Sequence, residues 1–291
     1  MCIRDSINTT LNIYRIVKYD GFSPTIVDSF GIPNFGTTYR SPIGLSFISG
    51  DVIAMIIIEA FVGKACRFQG FSNTIVDSFT MDIPTITGAN GYPRGITWDG
   101  SNVITASHGT SSASYEASDA IYKHQGFSGT ITESFQFTSA NPDPWGCSWR
   151  NDNNLIVTCH GRNIVFLYQG FSTTLLDSFA GYSGEHARGV SCDADLNTYV
   201  SFFVSEEPDI LVKYQGFTNT ILDSFTSPNP DTAVPGLEWS NRGLKANVIT
   251  YTYHGATPTG EQADNIRFKA ADDNVQDFTN TIKIPTSGSN Y

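Results

Sequence analysis

Charge is scarce in this 291-residue sequence. Asp, Glu, Lys and Arg make up 15% of it, and 17 scattered basic residues against 28 acidic ones give a formal net charge of −11. A phosphate-binding surface needs clustered cations, which argues against nucleic acid as a partner; an acidic excess mainly serves solubility. Long apolar runs are missing too. The longest, Val52 to Ile58, stops at Glu59, far short of the roughly 20 residues that cross a bilayer, so it reads as a buried strand and no membrane span is expected. Apart from Cys2, the cysteines Cys66, Cys147, Cys159 and Cys192 stand singly inside apolar strand patterns, without close pairs or metal-ligand spacing. That disfavours a disulfide-built scaffold and reads them as small buried hydrophobes. Also absent are a Gly-x-Ser-x-Gly elbow, a phosphate-cradling loop and a His-Glu-x-x-His motif, the short signatures of several hydrolases and nucleotide binders.

What the chain does contain is one phrase five times over. Tyr19 to Phe30 reads Tyr-Asp-Gly-Phe-Ser-Pro-Thr-Ile-Val-Asp-Ser-Phe, and relatives of it run from Phe68 to Phe79, His124 to Phe135, Tyr168 to Phe179 and Tyr214 to Phe225. The glycines Gly21, Gly70, Gly126, Gly170 and Gly216 are separated by 49, 56, 44 and 46 residues, the length of one four-stranded propeller blade. The segment Pro93 to Phe137 shows how a unit folds. Gly95 to Trp98 alternates as a strand, Asp99-Gly100 supplies a hairpin turn, and a second strand follows over Asn102 to Ser107. Asp119 to His124 forms a third strand, Gln125 to Ser128 turns the chain, and Thr130 to Phe135 returns as a fourth. The same grammar opens at Gly44, Gly146, Gly189 and Gly236.

A sheet of this kind alone leaves two bare faces, and stacking sheets radially buries both. The expected fold class is therefore all-β, a β-propeller of four-stranded antiparallel blades, with five full units plus a truncated N-terminal one. That count favours six blades, with seven open. The expected blade parts are 12–30, 43–80, 93–137, 144–180, 187–226 and 235–285, within a propeller over 12–285 and followed by a tail over 286–291. The opening Met-Cys-Ile-Arg-Asp-Ser back-translates to a transposon end used in preparing sequencing libraries. Residues 1–11 are accordingly expected to be a leader outside the fold, with the biological start upstream. Lys18 and Asp28, Arg67 and Asp77, Lys123 and Glu133, and Lys213 and Asp223 all stand ten residues apart across the third-to-fourth strand turn. They should face each other as cross-strand pairs, with Leu167 and Asp177 breaking the rule.

The pattern of Gly-apolar-x-aromatic, Asp-Gly, Asn-apolar-Ile and Ile-Tyr-Lys resembles the NHL and gluconolactonase-like (TolB-like) six-bladed propellers over about residues 12–285. The resemblance implies a ligand site where loops meet at the mouth of the central channel. Immediately before the leading glycines stand Ile43, Arg94, Trp145, Arg188 and Pro235, and two arginines beside a tryptophan suit an anionic or planar ligand. His108, His160 and His254 follow second strands, with Ile57 and Phe203 at the matching places elsewhere. The candidate ligand-binding residues are Arg94, Trp145, Arg188, His108 and His160. The zinc histidines of the amidating-lyase branch would precede the leading glycine, where this chain has none. The gluconolactonase-like cation site needs channel carboxylates, and on the innermost strands only Glu238 qualifies. Asn151 to Asn154 and Asp193 to Asn197 look superficially like calcium loops but coincide with turns. No metal ligand is assigned and no cofactor is expected, calcium and zinc being the minor alternatives.

The leading expectation is thus a non-catalytic, monomeric propeller that binds a protein, small molecule or glycan through its loops, in an extracellular, surface or viral setting. The competing expectation is a metal-dependent hydrolase or lactonase, which rests on fold analogy.

Overall fold

A computed structural model describes residues 2–8, 13–36, 41–59, 62–81, 91–109, 119–137, 143–182, 184–204, 208–228, 236–239, 267–269 and 275–277. The chain divides into two units, residues 1–241 and 242–291. The first opens with β1 (Cys2–Asn8), β2 (Ile13–Tyr19) and β3 (Ile26–Gly31). Four meanders follow: β4 (Ser41–Ile48), β5 (Asp51–Glu59), β6 (Val62–Phe68) and β7 (Ile75–Met81); β8 (Gly91–Trp98), β9 (Val103–Gly109), β10 (Ala120–His124) and β11 (Ile131–Gln136); β12 (Pro144–Trp149), β13 (Leu155–Cys159), β14 (Ile164–Tyr168) and β15 (Leu175–Ala180); and β16 (His186–Cys192), β17 (Thr198–Phe203), β18 (Ile210–Tyr214) and β19 (Ile221–Thr226). The unit ends with β20 (Leu237–Trp239). In the second unit, β21 (Arg267–Lys269) and β22 (Val275–Asp277) form a short antiparallel ladder.

The described residues form five four-stranded antiparallel sheets in a propeller arrangement, where the sequence count favoured six blades. The difference lies at the seam. Leu237–Trp239, expected to lead a blade of its own, pairs with β1 and completes the sheet β20-β1-β2-β3. The N-terminal part over 12–30 and the strand after Gly236 thus belong to one blade. Residues 2–8, expected to lie outside the fold, form its second strand. A strand at the end of a meander has bare backbone donors and acceptors, and pairing it with the opposite terminus satisfies them and removes an edge. Of the blade part expected over 235–285, residues 235, 240–266, 270–274 and 278–285 fall outside the described residues.

Burial falls from axis to rim. The inner β4 is buried along nearly its whole length, whereas the outer β15 is exposed at five of six positions. The four free cysteines fit that gradient: Cys66, Cys147 and Cys159 are buried and Cys192 is half-buried. Burial pushes the Cys66 and Cys192 thiols up to about 12, so these are unreactive core residues.

The recurring phrase is a structural device whose parts have separate roles. In the turn, Gln125 N donates to Thr130 O, Ser128 Oγ donates to Gln125 O, and Thr130 N donates to Ser128 Oγ. Gly126 has φ +58°, which explains the invariant glycine. Its N–H donates to Asn102 Oδ1 at the start of the second strand, and Gly170 and Gly216 use Asn154 and Asn197 likewise. The Asn that opens second strands is therefore a cap for the next turn.

The two phenylalanines of the phrase join neighbouring blades. Phe30 packs on Phe71, Phe79 on Phe127, Phe135 on Phe171, Phe179 on Phe217 and Phe225 on Phe22, all edge-to-face with centroids 4.9 to 5.1 Å apart. The Phe225–Phe22 pair joins the fifth sheet to the first and so closes the ring through side chains. Replacing Phe225 by alanine should cost about 2–3 kcal/mol in a denaturant titration, because the ring is only partly buried. A double-mutant cycle with Phe22→Ala should return about 1 kcal/mol of coupling. Strict additivity would show that the rings meet without joining the blades.

The ten-residue rule holds as register but not as ion pairing. Lys18 stands opposite Asp28, Arg67 opposite Asp77, Lys123 opposite Glu133 and Lys213 opposite Asp223. Three of the cations reach instead toward carboxylates on the first-to-second strand turns: Arg67 to Asp51 at 2.7 Å, Lys123 to Asp99 at 3.1 Å and Lys213 to Asp193 at 3.8 Å. Those inner acids are less exposed, and Coulomb attraction is stronger where water is thinner. The outer carboxylates stay exposed beside a β-bulge in each outer ladder, which discourages edge-to-edge association. The exception at Leu167 has a cause. Arg150 sits over the Phe217 ring at 6.0 Å, as Lys18 sits over Phe71 and Lys123 over Phe171, so in that blade the cation comes from the turn instead of the third strand.

Candidate functional site

The leading glycines make the axis. Gly44, Gly95, Gly146, Gly189 and Gly236 line a central cavity of about 10 Å³, the space of roughly one water molecule. Each inner strand among the described residues with a full ladder carries a bulge just ahead of or at its glycine: Pro42/Gly44, Pro93/Ile96, Pro144/Cys147 and Ala187/Val190. The bulge breaks the ladder and re-aims the side chain before the glycine. Hydroxyls of the second strand fill the gap, with Gly146 N donating to Thr158 Oγ1 and Gly189 N to Ser201 Oγ, both at 2.8 Å. This is why Arg94, Trp145 and Arg188 leave the regular pattern, while Ile43 is buried in the core. Pro235 lies outside the described residues.

The five candidate residues converge. The guanidinium carbons of Arg94 and Arg188 lie 4.2 Å and 4.6 Å from the Trp145 ring centroid, and the His160 ring stacks on the same indole at 4.7 Å and 19°. His108 joins through Asp143: its Nδ1 is 2.9 Å from Asp143 Oδ1, and His160 Nδ1 is 3.2 Å from Asp143 Oδ2. Trp145 Nε1 also donates to Asp143, at 3.1 Å. One carboxylate therefore gathers three of the five side chains from two neighbouring blades. His254 lies outside the described residues.

Four further contributors stand outside the five candidates. Asp143 takes a left-handed backbone conformation, φ +43°, which a short polar side chain tolerates, within the Asn-Pro-Asp-Pro that precedes Trp145. Asp119 is fully buried just before β10, contacts His108 Nδ1 at 3.3 Å and accepts from Asp143 N at 3.0 Å. His186 stacks on His160 at 4.4 Å, and Phe203 lies 3.9 Å from the Arg188 guanidinium carbon. Phe203 was visible as the residue matching the histidines in its blade. The two aspartates precede strands in segments of variable length, so no spacing pointed to them.

The electrostatics follow from this arrangement. Burial alone would lower His108, but the carboxylates of Asp119 and Asp143 outweigh it and hold the imidazole up at about 9, so it is cationic at neutral pH. Burial would raise Asp143, yet the hydrogen bonds from His108 and His160 keep it well below the ordinary carboxylate range. His160 goes the other way. Burial lowers it, Asp143 opposes that, and Arg188 and His186 add to the lowering, so its ring is neutral. Burial likewise depresses Arg94. Among the described residues Arg94 has no carboxylate within ion-pair distance, and its Nε is buried without a hydrogen-bond partner.

Asp193, in the second calcium-like segment, spends its oxygens on Asn197 N and Nδ2 and on Tyr199 Oη, as a turn cap does. Among the described residues no group of three or more His, Cys, Asp or Glu is arranged to hold a metal ion. No described helix is long and apolar enough to cross a membrane.

No protein-family model matches the chain, and no curated protein matches it in sequence. Solved structures do share the fold. A chain of a nidogen/laminin complex is similar at 14% identity over 82% of this chain and 98% of that one, with a TM-score of 0.51. The Dos1 propeller is 11% identical over 78% and 61%, TM-score 0.39. A catalytically inactive virginiamycin B lyase from Staphylococcus aureus, with quinupristin, is 15% identical over 79% and 72%, TM-score 0.43. At 14% identity the likeness to the nidogen/laminin chain speaks for the β-propeller fold alone.

Proposed function

We propose that this protein is a binding propeller whose ligand is an anion held at the face formed by Arg94, Trp145 and Arg188, with His108 and His160 beside them. Arg94 carries the reading. A guanidinium that is largely withdrawn from water, with a buried Nε that bonds nothing and only the Asp143 charge acting on it from beyond ion-pair distance, is costly unless an anion completes it. The two guanidiniums approach one indole and so stand no more than about 9 Å apart, a span that one small anion or two anionic groups of a larger ligand can bridge by bidentate contacts. A small molecule, a glycan acid or an acidic protein side chain meets that description. The ring needs no second copy to protect its edges, which suits a monomer, and the reading requires no cofactor. The competing hydrolase or lactonase reading would draw on Glu238, which accepts a hydrogen bond from Ser191 at 3.2 Å and has no cluster of further oxygen ligands described around it.

Titration of intrinsic fluorescence with benzoate and with inorganic phosphate, at low salt to limit screening, tests the proposal. At least one should perturb Trp145 emission saturably and raise the melting temperature. Arg94→Met with Arg188→Met should weaken that binding by about tenfold or more, as expected for loss of charge-assisted hydrogen bonds. If neither anion produces a saturable change at tens of millimolar, the proposal fails.

A further inference from the structure

His160 has an atom with nothing to do. Its Nδ1 faces Asp143 Oδ2 at 3.2 Å; an ionised carboxylate can only accept, so Nδ1 carries the proton and donates. In the neutral ring the other nitrogen, Nε2, is then a bare acceptor. That nitrogen is buried and has no hydrogen-bond partner. Nor can the ring turn to relieve it, because Trp145 stacks on it at 4.7 Å and His186 at 4.4 Å, with interplanar angles of 19° and 16°. Its backbone is fixed as well: His160 N donates to Asp143 O, and His160 O contacts His186 Nδ1 at 3.0 Å. A buried acceptor locked in place beside two guanidiniums is a built feature with a missing donor.

We infer that the ligand of this site is an anion that also carries a hydrogen-bond donor, a hydroxy acid being the simplest class, with its carboxylate toward Arg94 and Arg188 and its hydroxyl donating to His160 Nε2. The inference rests on the anion-binding reading above and narrows it. Trp145, which both guanidiniums and the imidazole approach within 5 Å of its centroid, supplies the floor that sets the distance between the two recognition points. Asp143 is a positioning residue here, since it fixes the tautomer that leaves Nε2 free to accept.

The test compares matched acids that differ by one hydroxyl, mandelate against phenylacetate and 3-hydroxybenzoate against benzoate, by calorimetry on the full chain. In the wild-type protein the hydroxylated member of at least one pair should bind about tenfold more tightly, the discrimination expected when a buried acceptor goes unfilled with the other member. In His160→Phe, which keeps a flat ring between Trp145 and His186, the two members should bind within about twofold of each other. Equal affinities within both wild-type pairs would overturn the hydroxy-acid inference while leaving the anion site standing. A preference that persists in His160→Phe would overturn the role of His160. Failure of all four acids to bind would overturn the hydroxy-acid inference, and the site falls with it only if inorganic phosphate fails as well. The wild-type comparison needs no variant, so a misfolded substitution cannot shelter the idea.

Discussion

Gly146→Ala is expected to cost 3 kcal/mol or more and to lower the melting temperature by roughly 10 °C, the scale for overpacking a closed site in a domain of this size. The methyl group would meet the Arg188 carbonyl, Thr158 Oγ1 at 2.8 Å and Val190 N at 2.9 Å. Two of those neighbours are backbone of the adjacent inner strand, which cannot move without widening the ring. Gly95 and Gly189 face the next blade's backbone in the same way, with contacts of 2.6 Å and 2.7 Å. Gly126→Ala is the matched control. Its φ is +58° but nothing lies within 4 Å, so only backbone strain remains, about 1 kcal/mol. Thermal melts of the two variants side by side decide the matter; a Gly146→Ala penalty no larger than that of Gly126→Ala would mean that the blades have slack at the axis.

Asp143→Ala should destabilise the protein by about 2–4 kcal/mol near neutral pH, because it takes from the charged His108 the nearer of its two carboxylates, leaving Asp119, and unseats His160 and Trp145 together. The pH dependence has a definite sign. The folded pKa of His108, about 9, lies above its ordinary 6.5, so its stabilisation is complete below about pH 6.5 and is lost as pH rises through 9. A shift of that size corresponds to about 3 kcal/mol, and since the same contact depresses Asp143, the two shifts describe one interaction. On the acid side, burial lowers His124 to about 4 from 6.5. The folded state therefore refuses a proton that the unfolded chain accepts, and stability falls as pH drops across that window. Asp143 adds to the loss once the pH falls below the ordinary carboxylate range. Stability should therefore peak between about pH 6 and 7. Asp143→Asn, which retains a residue tolerant of the left-handed conformation, should flatten the alkaline arm and leave the His124 arm intact. Urea midpoints from pH 4 to 10 measure both arms, and an unchanged alkaline arm in Asp143→Asn would contradict this account.

The repeat phrase made the blade legible because its requirements are local. Turn glycines, capping asparagines and alternating strands each leave a mark within a dozen residues, and the predicted register at Lys18, Arg67, Lys123 and Lys213 holds at every one. The residue before each leading glycine was legible for the same reason, and Arg94, Trp145 and Arg188 do meet with His108 and His160. What sequence order hid was non-local. The seam between β20 and β1 joins Leu237 to Arg4, and no short-range pattern marks that pairing. The true partners of the third-strand cations were hidden too, because register says which residues stand opposite but not which way a long side chain leans. Asp119 and Asp143, which organise the site, come from segments whose lengths differ from blade to blade.

The seam also sets a timetable for folding. Cys2 pairs with Trp239 and Phe22 with Phe225, so the first blade cannot be completed until more than two hundred residues have been synthesised. Contacts of such high sequence separation are entropically late and slow to form. During translation the early blades must wait with an unsealed flank, exposed to the same association that the finished disc resists. The recurrent aromatic clasps give each pair of neighbours a way to hold together in the meantime, blade by blade, before the last strand locks the circle.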